Sequence, residues 1–168
     1  MFCTCNSGKS KVVEQNISSL LNEDVAWLKG KQIHSLDSVT GKIEGSTIVY
    51  IFNYYDCEVC IDRGFEVVNF IDSKRNEESI KVIVSMFCEV TSTQKRNSYK
   101  GFIYKDKKDL IRKGLKYVPT PIMLIVDNEL RIKDAYIFEV SQDNKQLKGF
   151  IQKCLFIDPH YCGSEVLL

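Results

Sequence analysis

The sequence has only two histidines, three prolines and one tryptophan among its 168 residues. Two histidines are too few for a metal site built mainly from imidazole ligands. Lysine and arginine total 23 against 22 acidic residues, so we expect no nucleic-acid partner bound through bulk positive charge. No apolar run approaches the roughly 20 residues of a membrane-spanning helix. Sequence repeats and low-complexity segments, which would indicate a solenoid or a disordered chain, are also missing.

Cysteine, by contrast, is well represented, at positions 3, 5, 57, 60, 88, 154 and 162. Because seven is an odd number, at least one thiol is left over from any complete intrachain pairing. The density of about 4% is below that of small disulfide-stapled scaffolds. The positions are therefore more informative than the number, and two of these residues, Cys57 and Cys60, form a CxxC motif.

The hydrophobic pattern predicts an α/β domain with a mixed sheet. Apolar runs predict three strands, the first of them buried on both faces, at 47–53, 80–87 and 122–126. A fourth strand over 130–138 follows a tight turn and is expected to run antiparallel to the third. Helical spacing predicts helices over 58–74, near 106–116 and from a capping Ser141 to Cys154. Strand-helix-strand units require parallel, right-handed crossovers, so the predicted order is β-α-β-α-β-β-α.

The region before these strands is interpreted as an N-terminal extension. Residues 1–10 are small and polar, which is typical of a flexible leader. Helical spacing over 11–29 predicts a helix that Asn22-Glu23-Asp24 interrupts, with Trp27 in the core. Glycines punctuate 31–45, which predicts weak hairpin or edge strands. The chain is thus divided into a leader at 1–10, an extension at 11–45, a main domain at 46–155 and a tail at 156–168.

The CxxC motif follows the first buried strand and opens the next helix. Residues i and i+3 share one helix face, so the sulfurs of Cys57 and Cys60 can approach each other. Cys57 would lie at the helix N-terminus, where free N–H groups and the helix dipole favour a thiolate. Either Asp56 or Cys57 is expected to cap this helix. Because the thiolate is the reactive form, we predict that Cys57 attacks a substrate disulfide and that Cys60 resolves the mixed disulfide.

A second signal is the Val118-Pro119-Thr120-Pro121-Ile122 segment before the third strand. Proline is permitted at the first residue of a strand, and the Thr120–Pro121 bond is a candidate cis peptide. With these two motifs the chain resembles the thioredoxin-like superfamily over about residues 46–155. The resemblance is greatest to its bacterial envelope thiol–disulfide oxidoreductase and peroxiredoxin-related branch. Pro121 and Asp127 match the family spacing between this proline and an aspartate.

The resemblance implies a thioredoxin-like three-layer α/β sandwich with a mixed central sheet, here carrying an N-terminal extension. It also implies that Pro121 faces the CxxC motif and that Thr120, Pro121 and Tyr55 contact the substrate. Cys57 and Cys60 would be the catalytic pair.

The chain departs from the family pattern in three respects. Asp56 replaces the usual tryptophan, Glu58-Val59 replaces a Gly-Pro pair, and Ile51 stands where thioredoxins carry a buried acid. The usual proton acceptor for Cys60 is therefore absent from the first strand. Carboxylates on both sides of Cys57 disfavour its thiolate by like-charge repulsion. We accordingly expect Asp56 and Glu58 to tune Cys57, making the pair more reducing than in strongly oxidising relatives.

The leading interpretation is a thiol–disulfide oxidoreductase without a cofactor, which reduces protein disulfides and takes electrons from an upstream donor. The alternative is a non-catalytic thioredoxin-like binding module of the cell envelope, in which Cys57 would be buried or unable to approach Cys60. A zinc site would need about four ligands. Cys88 with His160 or Cys162 could add to the motif, but nothing fixes their approach and no metal is expected. Cys88 and Cys154 lie on apolar segments, as inert core thiols do.

The N-terminal residues bear on location. No hydrophobic signal-peptide core is present in the sequence as written. The Met-Phe-Cys-Thr-Cys start nevertheless resembles the end of a bacterial lipoprotein signal. If the start is truncated, a lipidated residue is expected at Cys5, which fits this role better than Cys3. We therefore expect the cell envelope or periplasm, with membrane attachment through lipidated Cys5, and the cytoplasm is the alternative.

Overall fold

The computed structural model describes residues 21–75, 80–86, 89–140 and 144–157. The described chain begins in a helix over 21–28, which we call α1. The elements that follow, in chain order, are α2 (Leu36–Thr40), β1 (Thr47–Asn53), α3 (Glu58–Lys74), β2 (Ile80–Ser85), α4 (Thr91–Arg96), β3 (Ile103–Asp106), α5 (Leu110–Gly114), β4 (Ile122–Val126), β5 (Ile132–Ile137) and α6 (Asn144–Leu155).

The five strands form one mixed sheet in the order β3-β2-β1-β4-β5. β1 is parallel to β2, and β4 and β5 are antiparallel, both as predicted. β4 runs antiparallel to β1, so the parallel crossover predicted for the second strand-helix-strand unit is wrong. All seven residues of β1 are buried, because this β-branched and aromatic strand lies at the centre of the sheet with layers on both faces. The predicted α/β class with a mixed central sheet is confirmed.

Two apolar clusters cover the two faces of the sheet and make a three-layer structure. One contains the inward residues of α3 and α6 together with Tyr50 and Phe52 of β1. The other contains Val49 and Ile51 of the same strand, with residues of α1, α2 and α5. Alternate residues of β1 thus pack into opposite layers, as the pleat of a strand requires.

The pairing register brings two loops to one edge of the sheet. Asn53, the last residue of β1, pairs with Ser85 at the end of β2. Since β4 is antiparallel to β1, its first residue Ile122 pairs near that same end, opposite Ile51. The CxxC motif that follows β1 and the loop over 118–121 that precedes β4, here called the proline loop, therefore meet at this edge.

The N-terminal extension differs from the prediction. Residues 31–45 contain the short helix α2 and a single bridge between Gln32 and Arg131, and no hairpin. Gly30, with φ at +81°, makes a left-handed turn that favours glycine. Beyond this turn, the backbone at 30–33 hydrogen-bonds to residues 130–132 beside β5. The left-handed turn at Gly30 thus leads the chain into backbone pairing at the start of β5.

Two further expectations for α1 were wrong. Residues 22–24 do not interrupt the helix, which continues over 21–28. Trp27 is 38% exposed, with the ammonium groups of Lys31 and Lys116 at 4.8 and 5.5 Å from its ring centroid. The indole therefore lies at the surface between two cations, a cation–π arrangement, while Leu28 is the residue that enters the core.

The prediction was also incomplete between β2 and β4. The sequence predicted one helix near 106–116, whereas the structure has α4, the strand β3 and a short α5. Polar residues dominate α4, and β3 has only four residues, so neither shows a clear hydrophobic period.

Several predicted features lie outside the described residues: the leader with Cys3 and Cys5, Cys88, Ser141, His160 and Cys162. Over the part of the chain that the structure describes, no helix has the length and apolar character needed to cross a membrane.

Candidate functional site

Cys57 and Cys60 lie at the start of α3, with very different exposure. Cys57 is the N-cap residue of the helix, as predicted, and it is exposed. Cys60, one turn further, is 4% exposed and belongs to the apolar cluster under α3. The two residues approach to 3.0 Å, and both thiols are free. An accessible sulfur thus lies next to a buried one, which is the opposite of the arrangement expected for a non-catalytic module.

The environment of Cys57 favours its thiolate. The Cys60 thiol donates a hydrogen bond to the Cys57 sulfur, and this bond lowers the pKa of Cys57 most strongly. The backbone N–H groups of Cys60 and Val59 act in the same direction, while partial desolvation and the Asp56 carboxylate oppose them. The pKa of Cys57 is lowered overall, because the Cys60 hydrogen bond and, after it, the N–H groups of the helix start stabilise the negative charge.

Cys60 is held as a thiol. Burial raises its pKa most, and the neighbouring charges of Cys57, Asp56 and Glu139 raise it further, to about 12. The pair therefore consists of one nucleophile that ionises readily and one proton donor that does not, so a reaction at Cys60 needs a group that removes its proton.

Asp56 connects the motif to the proline loop. Its Oδ2 accepts the Asn53 N–H at 2.7 Å, and its Oδ1 accepts the Thr120 hydroxyl at 2.9 Å. Burial raises the pKa of Asp56, although these two hydrogen bonds and the charge of Arg112 pull it down. Asp56 is thus a half-buried carboxylate with both oxygens engaged.

The proline loop and the end of β5 are joined by the backbone. The sequence analysis expected a cis peptide between Thr120 and Pro121, and this bond is cis in the structure. The Pro121 carbonyl accepts the Phe138 N–H at 2.8 Å. The residue after Phe138 is Glu139, so this hydrogen bond brings the segment just beyond β5 to the motif's edge of the sheet.

Glu58, the second predicted tuning residue, has its own cationic partner. The guanidinium of Arg96 in α4 forms ion pairs with Glu58 and with Asp62, the latter at 2.8 Å. The Asp62 carboxylate also accepts the Asn97 side-chain amide at 2.8 Å. Asp56 and Glu58 therefore flank Cys57 in sequence but differ in environment, and Asp56 is the carboxylate that raises the pKa of Cys57.

Exposed apolar side chains surround the accessible sulfur. Tyr55 is 83% exposed, Val59 inside the motif is 64% exposed, and Tyr54 stacks edge-on against Tyr55 at 5.5 Å between ring centroids. Tyr55 is fixed at its backbone, where its N–H donates to the Asn53 side-chain oxygen at 3.0 Å. These exposed side chains all lie within three residues of Cys57 along the chain.

Arg112 and Glu139 are two charged residues at this site that the sequence analysis missed. Arg112, in α5, lies 3.9 Å from Asp109, which also accepts a hydrogen bond from Ser85 at the end of β2. Its Nε is buried without a hydrogen-bond partner within the described chain. Neither residue is near the motif in sequence, and only the meeting of β2, β4 and β5 at one edge brings them to it.

The third cysteine that the structure describes is buried and lies outside the CxxC motif. Cys154, in α6, is fully buried, and burial raises its pKa to about 12. Cys154 therefore lies in the core, as expected, and its raised pKa disfavours the reactive thiolate. Within the described ranges, no group of three or more histidine, cysteine or acidic residues could hold a metal ion.

Comparison with known proteins identifies the fold. No protein-family model matches the chain, and no curated protein matches it. Among solved structures, it matches a candidate protein disulfide isomerase from Bacteroides thetaiotaomicron with a TM-score of 0.54 and 15% identity, covering 73% of this chain and 77% of that one. A thiol-disulfide isomerase from Corynebacterium glutamicum matches with a TM-score of 0.47 and 18% identity, over 80% and 85% of the two chains. StoA from Bacillus subtilis matches with a TM-score of 0.47 and 16% identity, over 64% and 82%.

Proposed function

We propose that this chain, which has the thioredoxin-like fold, is a thiol–disulfide oxidoreductase that reduces protein disulfides through Cys57 and Cys60. One observation carries the proposal: an exposed thiol of lowered pKa lies 3.0 Å from a buried thiol of raised pKa at a helix start. A structural CxxC has no need for this asymmetry, whereas disulfide exchange requires a nucleophile and a separate resolving thiol.

The reaction proceeds in two exchange steps. The Cys57 thiolate attacks one sulfur of the substrate disulfide, forming a mixed disulfide and releasing the other substrate sulfur as a thiolate that takes up a proton. Cys60 then loses its proton and attacks the Cys57 sulfur, which frees the second substrate sulfur. The substrate gains two electrons and two protons, and Cys57 and Cys60 end as a disulfide. A dithiol donor restores them.

Thr120, Pro121 and Tyr55 are the residues we propose for substrate contact. Thr120 and Pro121 belong to the loop held against Asp56, and Tyr55 projects from the turn just before the motif. An extended peptide that carries a disulfide could lie between this loop and the exposed tyrosine. The partners are then a protein disulfide and an upstream electron donor.

The proposed direction of electron flow rests on the charge of Asp56 beside Cys57. Although the pKa of Cys57 is lowered overall, Asp56 makes its thiolate less stable than the other contacts alone would, and this effect shifts the pair towards the disulfide. We therefore propose a reducing role.

Insulin reduction with a dithiol donor tests this function. Cys57→Ser should abolish turnover, and Cys60→Ser should accumulate a mixed disulfide because resolution is blocked. Cys154→Ala, which changes a buried thiol outside the motif, is the matched control and should retain activity. Full turnover by a folded Cys57→Ser variant would exclude the proposed chemistry, and titration of the wild type against glutathione checks the reducing role.

We also propose a cell-envelope location with lipidation of Cys5, on the basis of the N-terminal sequence. Expression of the full-length gene with a labelled fatty acid tests this proposal: wild type should incorporate the label and Cys5→Ser should not. A wild type that stays unlabelled in the soluble fraction would contradict it.

A further inference from the structure

We infer that Glu139, just beyond β5, accepts the proton that Cys60 loses when it resolves the mixed disulfide. This inference rests on the proposed function and assigns one step of it. It addresses a specific difficulty at the site, because a buried thiol is a poor nucleophile until a base removes its proton.

The first strand offers no such base. Ile51, at the position where thioredoxins carry a buried acid, is fully buried in the cluster on the opposite face of the sheet from Cys60. An acceptor must therefore come from another element that reaches the same edge.

Glu139 comes from such an element. Phe138 packs in the same apolar cluster as Cys60, with its ring 5.8 Å from that of Tyr50. The Tyr50 hydroxyl in turn donates at 3.0 Å to the carbonyl of Ile61, the residue after Cys60. The backbone of Phe138 is also fixed on Pro121 at 2.8 Å. These contacts tie the residue before Glu139 to the start of α3 and to the proline loop.

The carboxylate of Glu139 is suited to take a proton. Its side chain is half-buried, and burial raises its pKa, which brings a carboxylate closer to the range useful for a base at neutral pH. No hydrogen bond or ion pair to Glu139 is present within the described parts of the chain. Its negative charge also acts on the Cys60 thiol.

Asp56 is the competing carboxylate, and its contacts favour a different role. Both of its oxygens already accept hydrogen bonds, from Asn53 and from Thr120. A proton on Asp56 would weaken the contact that holds the proline loop. Asp56 therefore acts as a positioning residue, and Glu139 is the carboxylate whose oxygens accept no hydrogen bond from the described residues.

The resolution step transfers one proton and exchanges one disulfide bond. In the mixed disulfide, the Cys60 S–H bond breaks and its proton passes to a Glu139 oxygen. The Cys60 sulfur bonds to the Cys57 sulfur as the bond between Cys57 and the substrate breaks, and the electron pair leaves with the substrate thiolate. That thiolate takes a proton from Glu139 or from solvent, and Glu139 is again ionised.

Reaction with the aromatic disulfide DTNB separates the two steps. Attack by Cys57 releases a first coloured thiolate and leaves the second attached to Cys57, and attack by Cys60 then releases it. The two rates are followed by absorbance in wild type, Glu139→Gln, Glu139→Asp, Asp56→Asn and Glu66→Gln. Glu66 is an exposed residue of α3 and serves as the control.

We expect Glu139→Gln to keep the first rate and to slow the second at least tenfold at neutral pH, since a general base contributes ~10²–10⁴-fold. Glu139→Asp should retain part of the second rate, and Glu66→Gln should match wild type. A purely electrostatic role gives the opposite sign, because removing a negative charge lowers the pKa of Cys60 and speeds resolution.

An unchanged or faster second step in Glu139→Gln would overturn the inference. The inference would also be overturned if Glu66→Gln slowed the second step as much as Glu139→Gln does, or if only Asp56→Asn slowed it. If wild type never forms the mixed disulfide, the proposed function itself fails, and the two failures are therefore distinguishable.

Discussion

The Thr120 hydroxyl donates a hydrogen bond of 2.9 Å to the Asp56 carboxylate. Asp56 immediately precedes the exposed thiol, and Thr120 immediately precedes the proline at the start of β4. This one contact joins two loops that belong to different strands of the sheet. The position of the proline loop is consequently coupled to the charge on Asp56, because an ionised carboxylate accepts the hydroxyl proton more strongly than a neutral one.

Replacing Thr120 by valine tests this coupling. Valine has the same branched shape but no hydroxyl, so the half-buried Asp56 carboxylate loses a donor that lowers its pKa. A hydrogen bond to a charged group contributes about 1.5–3 kcal/mol, and one pKa unit corresponds to about 1.4 kcal/mol. We expect the pKa of Asp56 to rise by about one unit, measured by carboxyl-carbon NMR. Thr91→Val, in α4, should leave it unchanged.

Neutralising Asp56 should lower the pKa of Cys57. The Asp56 carboxylate opposes the Cys57 thiolate, whereas Glu58 is paired with Arg96. In Asp56→Asn the rate of alkylation by iodoacetamide should reach its half-maximum at a lower pH than in wild type. Glu58→Gln should produce a smaller shift. If Glu58→Gln has the larger effect, the two carboxylates act in the reverse order.

The stability of the same Asp56→Asn variant should depend less on pH than that of wild type. Burial raises the folded-state pKa of Asp56 above its unfolded value. A group of this kind contributes stability below its unfolded pKa and loses that contribution as pH rises through the folded pKa. Ionisation of Asp56 therefore costs wild type stability between acid and neutral pH, and Asp56→Asn, which cannot ionise, should lack this loss. The Tm of the variant minus the Tm of wild type should be greater at pH 7 than at pH 4. The reverse order would contradict this sign.

Asp134 affects the pH dependence of stability in the opposite direction from Asp56. Burial raises its pKa, but hydrogen bonds from Lys153 and Lys29 outweigh burial and lower it overall. Its stability contribution is present above the unfolded value of about 3.9 and is lost as pH falls through the lower folded value. Asp134→Asn should cost about 1–3 kcal/mol at pH 7, and less in acid. Denaturant unfolding at several pH values measures this difference, with exposed Glu44→Gln as the control.

Gly64 in α3 should resist substitution. A Cβ there would lie 2.2 Å from the Tyr50 hydroxyl oxygen, and the Tyr50 ring atoms are almost as close. Because Tyr50 is fully buried among aromatic rings, it has no room to move, and overpacking of this kind costs about 1–3 kcal/mol. Gly149→Ala in α6, where a Cβ meets nothing within 4 Å, should instead be neutral or stabilising by up to about 1 kcal/mol. Chemical denaturation of both variants compares them.

The sequence predicted the centre of the fold better than its periphery. β1 and β4 are continuous apolar runs, and their burial on both faces leaves one interpretation. The segment from 91 to 106 was missed because its charged and polar residues are compatible with loop, helix or edge strand. Contacts with β2 decide between them, and such contacts have no local signature.

In the candidate site, likewise, the local motif was predictable and the long-range contacts were not. Cys57 and Cys60 were identifiable because the motif is local and lies between a strand and a helix. The pairing of Glu58 with Arg96 and the approach of Glu139 depend on how distant elements pack, so no spacing rule could find them. The sequence does show that the usual acid is missing at Ile51. A base for Cys60 must therefore come from another element, and the sequence alone does not say which.

The pairing of residues 30–33 beside β5 protects an outer strand of the sheet. The Gly30 N–H donates to the Ile132 carbonyl and the Ile132 N–H donates to the Lys31 carbonyl, both at 2.8 Å. An unpaired strand edge is a template on which a second copy of a chain can add, which leads to self-association. Where the extension occupies these groups, intermolecular strand addition at Ile132 is blocked. Proteolytic removal of the extension would expose this template together with the apolar surface beneath Leu28, Ile33 and Leu36, and aggregation would follow.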